Sequence, residues 1–570
     1  MARIAIDPVT RIEGHLRVEV QIEKGRVVDA WSSSTMFRGM EIVLRGRDPR
    51  DAWVFAQRIC GVCTTVHALA SVRAVEDALG IQIPDNARLM RNIIAGMQYI
   101  QDHVIHFYHL HALDWVDIVS ALAADPVKTA ELNQSISDWP RATPAYFKGV
   151  KDRIQKFVDS GQLGLFANAY WGHPAYALPP EANLMAVAHY LEALEWQKDV
   201  IKLHAILGGK NPHPQTYLVG GMAAPVDPNA QQSINTLRIA QLKALAAEAS
   251  AFVSQVYLPD ILAIAGFYKE WAGLGAGVGN YLSYGDFPAA KNSNVASYWL
   301  PRGVIFNKNI DQKPAPVSHE KVSEYVAHSW YRYADGDQNP LHPWSGETTP
   351  NYTGPQPPYE WLNTDSKYSW LKTPRYDDAP MEVGPLSRML IGYASGQQRT
   401  QELINSVLGQ LGVGPAALFS TLGRTAARAV ETALLAEQLP GWIDELGANM
   451  ASGQLTIHNS EKWSPATWPA EAEGWGAVEA PRGSLGHWVR IKDGKIQNYQ
   501  AVVPTTWNGS PRDARDVRGP YEAALIDTPV ADPDQPIEIL RTVHSFDPCM
   551  ACSVHLVDAR GVEMTRIKVQ

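Results

Sequence analysis

Arg58-Ile59-Cys60-Gly61-Val62-Cys63-Thr64-Thr65-Val66-His67 is the stretch from which the rest of the chain can be read. Two cysteines three positions apart fall at a break between helix-forming segments. Asp48-Pro49 opens the first segment, which runs into Arg58; Gly61 interrupts; the second runs from Thr64 to Leu79 and stops at Gly80. The same spacing returns at the other end as Cys549-Met550-Ala551-Cys552, and the 570 residues hold four cysteines in all. A disulfide framework staples a short secreted chain at many points. Two tight pairs in a long chain read instead as metal ligands or redox dithiols.

Outward from the first pair, Leu16, Val18, Val20 and Ile22 alternate with Arg17, Glu19 and Gln21 before Lys24-Gly25, the pattern of a hairpin with a polar, exposed turn. Apolar residues recur at three- and four-residue spacing from Asn86 to about Ala123, and over Glu181 to Leu207, Ser233 to Tyr268, Leu386 to Leu411 and Thr421 to Leu446. Long helices therefore dominate the expected core. Between roughly Asn309 and Pro380 the pattern dissolves into Pro, Trp, Tyr and Asp, which suits extended or turn-rich cover. Trp488 to Lys492 and Lys495 to Val503 flank Asp493-Gly494, a tight-hairpin signal. Ile537 to Thr542 reads as a strand leading to the second cysteine pair, and Leu556 to Gln570 as a strand-turn-strand tail. The expected class is α+β, predominantly helical: a long-helix bundle with peripheral β-hairpins.

Composition narrows the function. The chain is 45% hydrophobic and 19% charged, as an ordinary globular protein is. Net charge is −9, from 50 basic and 59 acidic residues spread along the sequence, so no basic stripe is present to track a nucleic-acid backbone. The N-terminal MARIAIDPVTRIEG lacks a charged start followed by an apolar core, and nowhere do about 18 apolar residues run uninterrupted. Neither a secretion signal nor a membrane span of its own is expected. No linker or repeat divides the chain, so one interwoven unit is expected.

Two Cys-x-x-Cys pairs brought together by folding can surround one metal, because each pair grips from adjacent positions. Taken alone they fit a structural zinc site, a pair of dithiol centres, or a soft-ligand site for nickel, iron or an iron-sulfur cluster. The flanking residues separate these. The first motif and Asp547-Pro548-Cys549-Met550-Ala551-Cys552-Ser553-Val554-His555 resemble the two cysteine motifs of nickel-iron hydrogenase large subunits, of the membrane-associated uptake type. Further matches are Arg11-Ile12-Glu13-Gly14-His15, Phe37-Arg38-Gly39-Met40-Glu41, the run from Asp102-His103 through His106-Phe107-Tyr108, Glu479-Ala480-Pro481-Arg482-Gly483 and Val503-Pro504-Thr505-Thr506-Trp507-Asn508. Together they span nearly the whole chain in family order.

The resemblance implies the large-subunit fold and reversible heterolytic cleavage of H2. It implies nickel held by all four sulfurs, Cys60 and Cys549 terminal, Cys63 and Cys552 bridging to an iron that carries carbon monoxide and two cyanides. Soft, polarizable thiolates suit low-valent metals. Arg482 would hang over the open side of the metal pair, held by Asp102 and Asp547, and would act as an electrostatic positioner since arginine stays protonated. The thiolate of Cys549 would accept the proton and Glu13 would take it next. Pro481, Pro504 and Thr505 would line the diatomic ligands, the Thr505 hydroxyl donating to cyanide, a position where many relatives have Ser. His67, four residues beyond Cys63 on one helix face, would donate a ring N–H toward a bridging sulfur. Each has a plainer alternative: an ion cluster for Arg482, a salt bridge to Arg11 or a helix cap for Glu13, a core histidine bonded to a backbone carbonyl for His67. Glu41 and His555, with a backbone carbonyl near Ala501, would form an outer magnesium site completed by water.

Fifteen residues follow His555. In this family a dedicated protease cuts after that histidine once nickel-insertion proteins have loaded the metal, so residues 1–555 are expected as the catalytic domain and 556–570 as a removed extension. Four cysteines spent on nickel leave none for an electron relay, which implies an iron-sulfur small subunit, in a heterodimer or a dimer of heterodimers. Such partners often carry a twin-arginine signal, hence an expected peripheral location on the periplasmic side of the membrane. Competing readings are a hydrogen-sensing regulatory subunit, a quinone-reductase subunit that has lost its nickel cysteines, and a zinc-stabilised scaffold.

Overall fold

The alternating segment at Leu16 becomes the middle of a three-stranded antiparallel sheet, β1 (Ala2–Ile6), β2 (Leu16–Glu23) and β3 (Arg26–Ser34). This is a computed structural model that describes residues 2–161, 164–166, 169–289, 297–355 and 361–550. Lys24 and Gly25 both take positive φ, 49° and 74°, the type I′ turn whose twist matches that of the flanking strands. Leu16, Val18 and Val20 are fully buried, and so is Glu19 on the opposite face, where Arg17 and Arg3 pair with it.

The first long helix, α1 (Val66–Leu79), follows Thr65 and ends at Gly80, whose φ of 66° lets its N–H turn back onto the last carbonyls. The segment before it is tighter than expected: 3-10 turns at Pro49–Asp51 and Gln57–Ile59 flank a short helix, Ala52–Ala56. Helix α2 (Asp85–Ile105) is buried almost all round. It stops well before Ala123, passing through a π turn at His106–His111 and a 3-10 turn at Ala112–Asp114, because His106, His111 and Asp114 are tied to groups outside the helix.

Helices α3 (Pro180–Val200), α4 (Thr236–Phe252), α5 (Pro385–Ala394), α6 (Gln398–Leu411) and α7 (Thr421–Ala451) complete the helical core, with α7 lying along both α2 and α4. The run Thr236–Phe267 is long and apolar enough to cross a membrane by composition, and 44% of its apolar window is buried within the fold. A core helix of a large protein meets that criterion equally. Residues 309–355 and 361–380 hold only short pieces, such as the antiparallel pair Val322–Tyr325 and Thr373–Tyr376.

A second antiparallel sheet, β4 (Glu471–Ala480), β5 (Gly483–Lys492) and β6 (Lys495–Val502), lies directly on α1. Glycine makes that approach possible. A Cβ at Gly476 would sit 1.9 Å from the carbonyl oxygen of Ala70, and one at Gly474 2.1 Å from that of Ala74. Asp493-Gly494 turns β5 into β6 with φ of 48° and 73°, as its sequence predicts. The two-residue turn Pro481-Arg482 between β4 and β5 and the short helix α8 (Pro504–Asn508) after β6 both project over the N-terminal end of α1.

One expected element is of the wrong type. Ile537–Ser545 is a helix, α9, not a strand. Its six-residue β-branched alternation could not register that every residue is buried, and full burial removes the two-faced pattern on which a strand reading depends. The architecture is mixed helix and strand with a helical core, as the sequence led us to expect. The tail Leu556 to Gln570 lies outside the described residues, with Cys552 and His555.

Candidate metal centre

Cys60 leaves the 3-10 turn in an extended conformation, and its Sγ accepts the N–H of Cys63 at 3.2 Å. Cys549 approaches from the far end of the chain, its Sγ 3.4 Å from that of Cys60. That exceeds the disulfide length of about 2.05 Å. All three sulfurs lie within 4.8 Å of one another, and none of the three residues is more than 2% exposed. Such crowding of buried thiolates is stabilised by a soft cation held among them. Cys552 lies outside the described residues.

The strand-like residue Glu13 pairs with Cys549 in a parallel bridge, and their side chains meet with Glu13 Oε2 3.3 Å from Cys549 Sγ. Arg11, in the left-handed region at φ 55°, pairs with Asp114, not with Glu13. Asp114 also receives His111 at 3.0 Å and His544, at the end of α9, at 2.7 Å; His544 Nε2 meets the Thr10 carbonyl at 2.8 Å. This knot clamps Thr10 to Glu13 against the Asp547–Cys549 turn.

Arg482 lies between Asp102 (3.2 Å) and Asp547 (3.0 Å), and all three are buried. Burial pushes the Asp102 carboxyl up to about 8 against the pull of Arg482. Asp547 is likewise raised by burial, while Arg482 is raised by Asp547, Cys549 and Asp102, which outweigh its desolvation. Arg482 Nε has no hydrogen-bond partner among the described residues. Arg482, Cys63, Cys549, His67, Val503, Pro504 and Thr505 enclose a small void. Thr505 Oγ1 accepts the Cys549 N–H at 3.1 Å, which keeps its own proton available to donate. Pro504 opens α8, and the Pro481 carbonyl is turned away to accept from Arg388.

Among the described residues His67 is not bonded to a backbone carbonyl. Its Nδ1 lies 3.2 Å from His487 Nε2, and its Nε2, buried, has no partner among the described residues. Glu41 stands apart from the thiolates: Oε1 accepts the Ala501 N–H at 3.1 Å, Thr348 donates to Oε2, and the Lys372 ammonium is 3.9 Å away. Ala501 thus presents its N–H to Glu41, where a carbonyl had been expected to face a cation. Glu324 shares the cavity with Glu41.

Three residues essential to this geometry escaped the sequence reading. Gln98 Nε2 bridges the Val62 carbonyl (3.1 Å) and Asp102 Oδ1 (2.6 Å), joining the first cysteine loop to the arginine clamp. Arg388 is fully buried between Glu431 and Glu479 and donates to the carbonyls of Ala480 (2.8 Å) and Pro481 (2.9 Å), so it fixes the turn that carries Arg482. His487 orients His67. Single polar residues in buried segments give no local signal of this kind.

Three soft donors, with two buried nitrogens unpartnered among the described residues on side chains that line the same void, fit a thiolate-bound metal group bearing acceptors of its own. Fold and site together define a protein with a buried, thiolate-rich site suited to a soft metal. The chain belongs to the nickel-dependent hydrogenase family: the family model of that description matches residues 38–555, and a HoxL-like model matches residues 3–33. It is 53% identical to the uptake hydrogenase large subunit of Rhizobium leguminosarum bv. viciae and 48% identical to the hydrogenase-1 large chain of Escherichia coli K12, in both cases over 100% of this chain and 97% of the relative. Among solved structures it is similar to the Ni-Fe-Se hydrogenase of Desulfomicrobium baculatum, with a TM-score of 0.74 and 36% identity over 97% of this chain and 100% of that one. The reduced enzyme of D. vulgaris Hildenborough gives 0.75 and 35%, with the same coverage. The protein is accordingly a hydrogenase catalytic subunit with a nickel and iron centre.

Proposed function

We propose that the chain is the large subunit of an uptake hydrogenase whose nickel is held by Cys60, Cys63, Cys549 and Cys552, with Cys63 and Cys552 shared with an iron bearing carbon monoxide and two cyanides. The convergence of three buried thiolates from opposite ends of the chain, beside Arg482 and Glu13, carries this reading. When bound, the metal pair supplies the polarisation of H2 and accepts its electrons.

The chain's own residues do the rest. Arg482, pinned by two carboxylates, holds a fixed positive charge at the void. A proton that reaches Cys549 Sγ has Glu13 Oε2 within 3.3 Å to receive it. Thr505 and Arg482 offer donors to cyanide, and Pro481 and Pro504 shape the walls. Gly61 and Val62 are exposed while Cys60 and Cys63 beside them are buried, so the sulfurs stand close to a surface where an iron-sulfur small subunit can collect electrons. A magnesium ion at Glu41, Ala501 and His555, removal of residues 556–570 by a maturation protease after nickel insertion, and a peripheral location on the periplasmic side complete the proposal. Residues 1–555 would then form one catalytic unit.

The purified complex should contain nickel and iron, show infrared bands of metal-bound carbon monoxide and cyanide, and reduce a dye with H2 at high rate. Zinc without nickel, or mature active protein lacking those bands, would overturn the proposal. Slow turnover with a full metal complement would favour the sensing subunit, which the uptake-type relatives already disfavour. Full activity with residues 556–570 still attached would remove the maturation step.

A further inference from the structure

Three buried side chains, His67, His487 and Tyr499, form a single hydrogen-bonded file from α1 into the β5–β6 hairpin. His67 Nδ1 lies 3.2 Å from His487 Nε2, and His487 Nδ1 lies 2.6 Å from the Tyr499 hydroxyl. His487 stands on β5 and Tyr499 on β6, in adjoining antiparallel strands. At the other end of the file His67 lines the void with Cys63 and Cys549, and its buried Nε2 has no partner among the described residues.

We propose that His487 and Tyr499 are positioning residues that hold the single proton of His67 on Nε2, so that its ring donates into the thiolate cavity. The inference rests on the nickel-iron reading of that cavity.

A ring nitrogen of His67 meets a ring nitrogen of His487, so one of the two is protonated and the other bare, and both rings are buried with no carboxylate partner among the described residues, so each ring carries one proton. One proton per ring leaves two ways to fill the file. In the first, Tyr499 O–H donates to His487 Nδ1, His487 Nε2–H donates to His67 Nδ1, and His67 Nε2–H points at the sulfurs. In the second every bond is reversed, and His67 turns a lone pair toward electron-rich thiolates. Charge at the cavity selects the first arrangement, and the two downstream links lock it, since neither histidine can change tautomer alone without setting two donors or two acceptors against each other. Tyr499 thereby acts on the centre through two intervening hydrogen bonds. This is the outer-shell orientation that metal-site histidines commonly need.

The test compares the holoenzyme with Tyr499→Phe, His487→Leu and His487→Gln, reading nickel content and the infrared bands of the iron-bound diatomics. Loss of the hydrogen bond leaves more electron density on the sulfurs and hence on iron, so Tyr499→Phe and His487→Leu should move the carbon monoxide band a few wavenumbers lower at full nickel content. In His487→Gln the amide can accept from Tyr499 and donate to His67, and the wild-type position should be kept. Wild-type bands present but unmoved in Tyr499→Phe and His487→Leu would overturn the inference, as would a His487→Gln shift equal to that of His487→Leu. Absence of any band in active wild-type protein would overturn the reading of the cavity itself. Should His487→Leu fail to take up nickel, Tyr499→Phe, which deletes one oxygen, decides alone.

Discussion

Glu13 and Cys549 are joined twice: the Met550 N–H donates to the Glu13 carbonyl at 2.8 Å in a parallel bridge, and the two side chains meet at 3.3 Å. The backbone bond fixes the side-chain distance, so the carboxylate is held against the sulfur without depending on a loop. Glu13→Gln keeps the shape and removes the proton carrier. Turnover should fall by about 10²–10⁴, with nickel content and infrared bands unchanged; undiminished turnover would mean that protons leave by another route.

Arg482 reaches two carboxylates from one planar group. Arg482→Lys keeps the charge but has no fork with which to span Asp102 and Asp547. H2 oxidation should drop by about 10²–10³, while the diatomic bands persist; a variant with native rates would show that charge alone suffices.

Arg388 neutralises Glu431 and Glu479 where none of the three is exposed. Arg388→Met would remove the guanidinium that pairs with both buried carboxylates and free the Ala480 and Pro481 carbonyls. Removing one partner of such a cluster costs about 3–5 kcal/mol. Thermal unfolding should show it, together with reduced nickel occupancy because the Arg482 turn loses its anchor.

Gly476 is the position where α1 rests on β4. Gly476→Ala places a methyl against the Ala70 carbonyl, and α1 must lift. Destabilisation of at least about 1–3 kcal/mol is expected, with a loss of bound nickel greater than that of a control such as Gly149→Ala, where a Cβ meets nothing within 4 Å. Equal nickel content in the two would show that the helix does not need that seat.

Glu522 is buried, accepts from Ser32 N–H and from the Tyr368 hydroxyl, and has its pKa raised by burial to about 7. A raised carboxyl binds its proton more tightly folded than unfolded. Its contribution to stability is therefore complete below about pH 4.5 and is lost as pH rises through 7. Glu522→Gln should flatten that loss, gaining on the order of 1–3 kcal/mol above pH 7. Unfolding midpoints of variant and wild type that run parallel across this range would refute the assignment.

The sequence was most legible where the physics is local. Lys24-Gly25 and Asp493-Gly494 are steric signals complete within two residues, and both form the expected turns. Gly80 ends α1 for the same reason. Ile537–Thr542 misled because its alternation was short and the segment is buried on every side. Gln98, Arg388 and His487 were invisible since the role of each depends on a partner distant in sequence.

Residue type and spacing, read with the neighbouring motifs, were enough to determine the family: four cysteines in two tight pairs, and the residues that flank them. Tertiary structure alone decided that Cys60 and Cys549, 489 positions apart, come within 3.4 Å, and which groups stand behind them. The reason is range. Turn sterics and donor softness belong to a few adjacent atoms, whereas the seat of α1 on Gly474 and Gly476, the Asp114 knot and the file through His487 exist only once separate elements are packed.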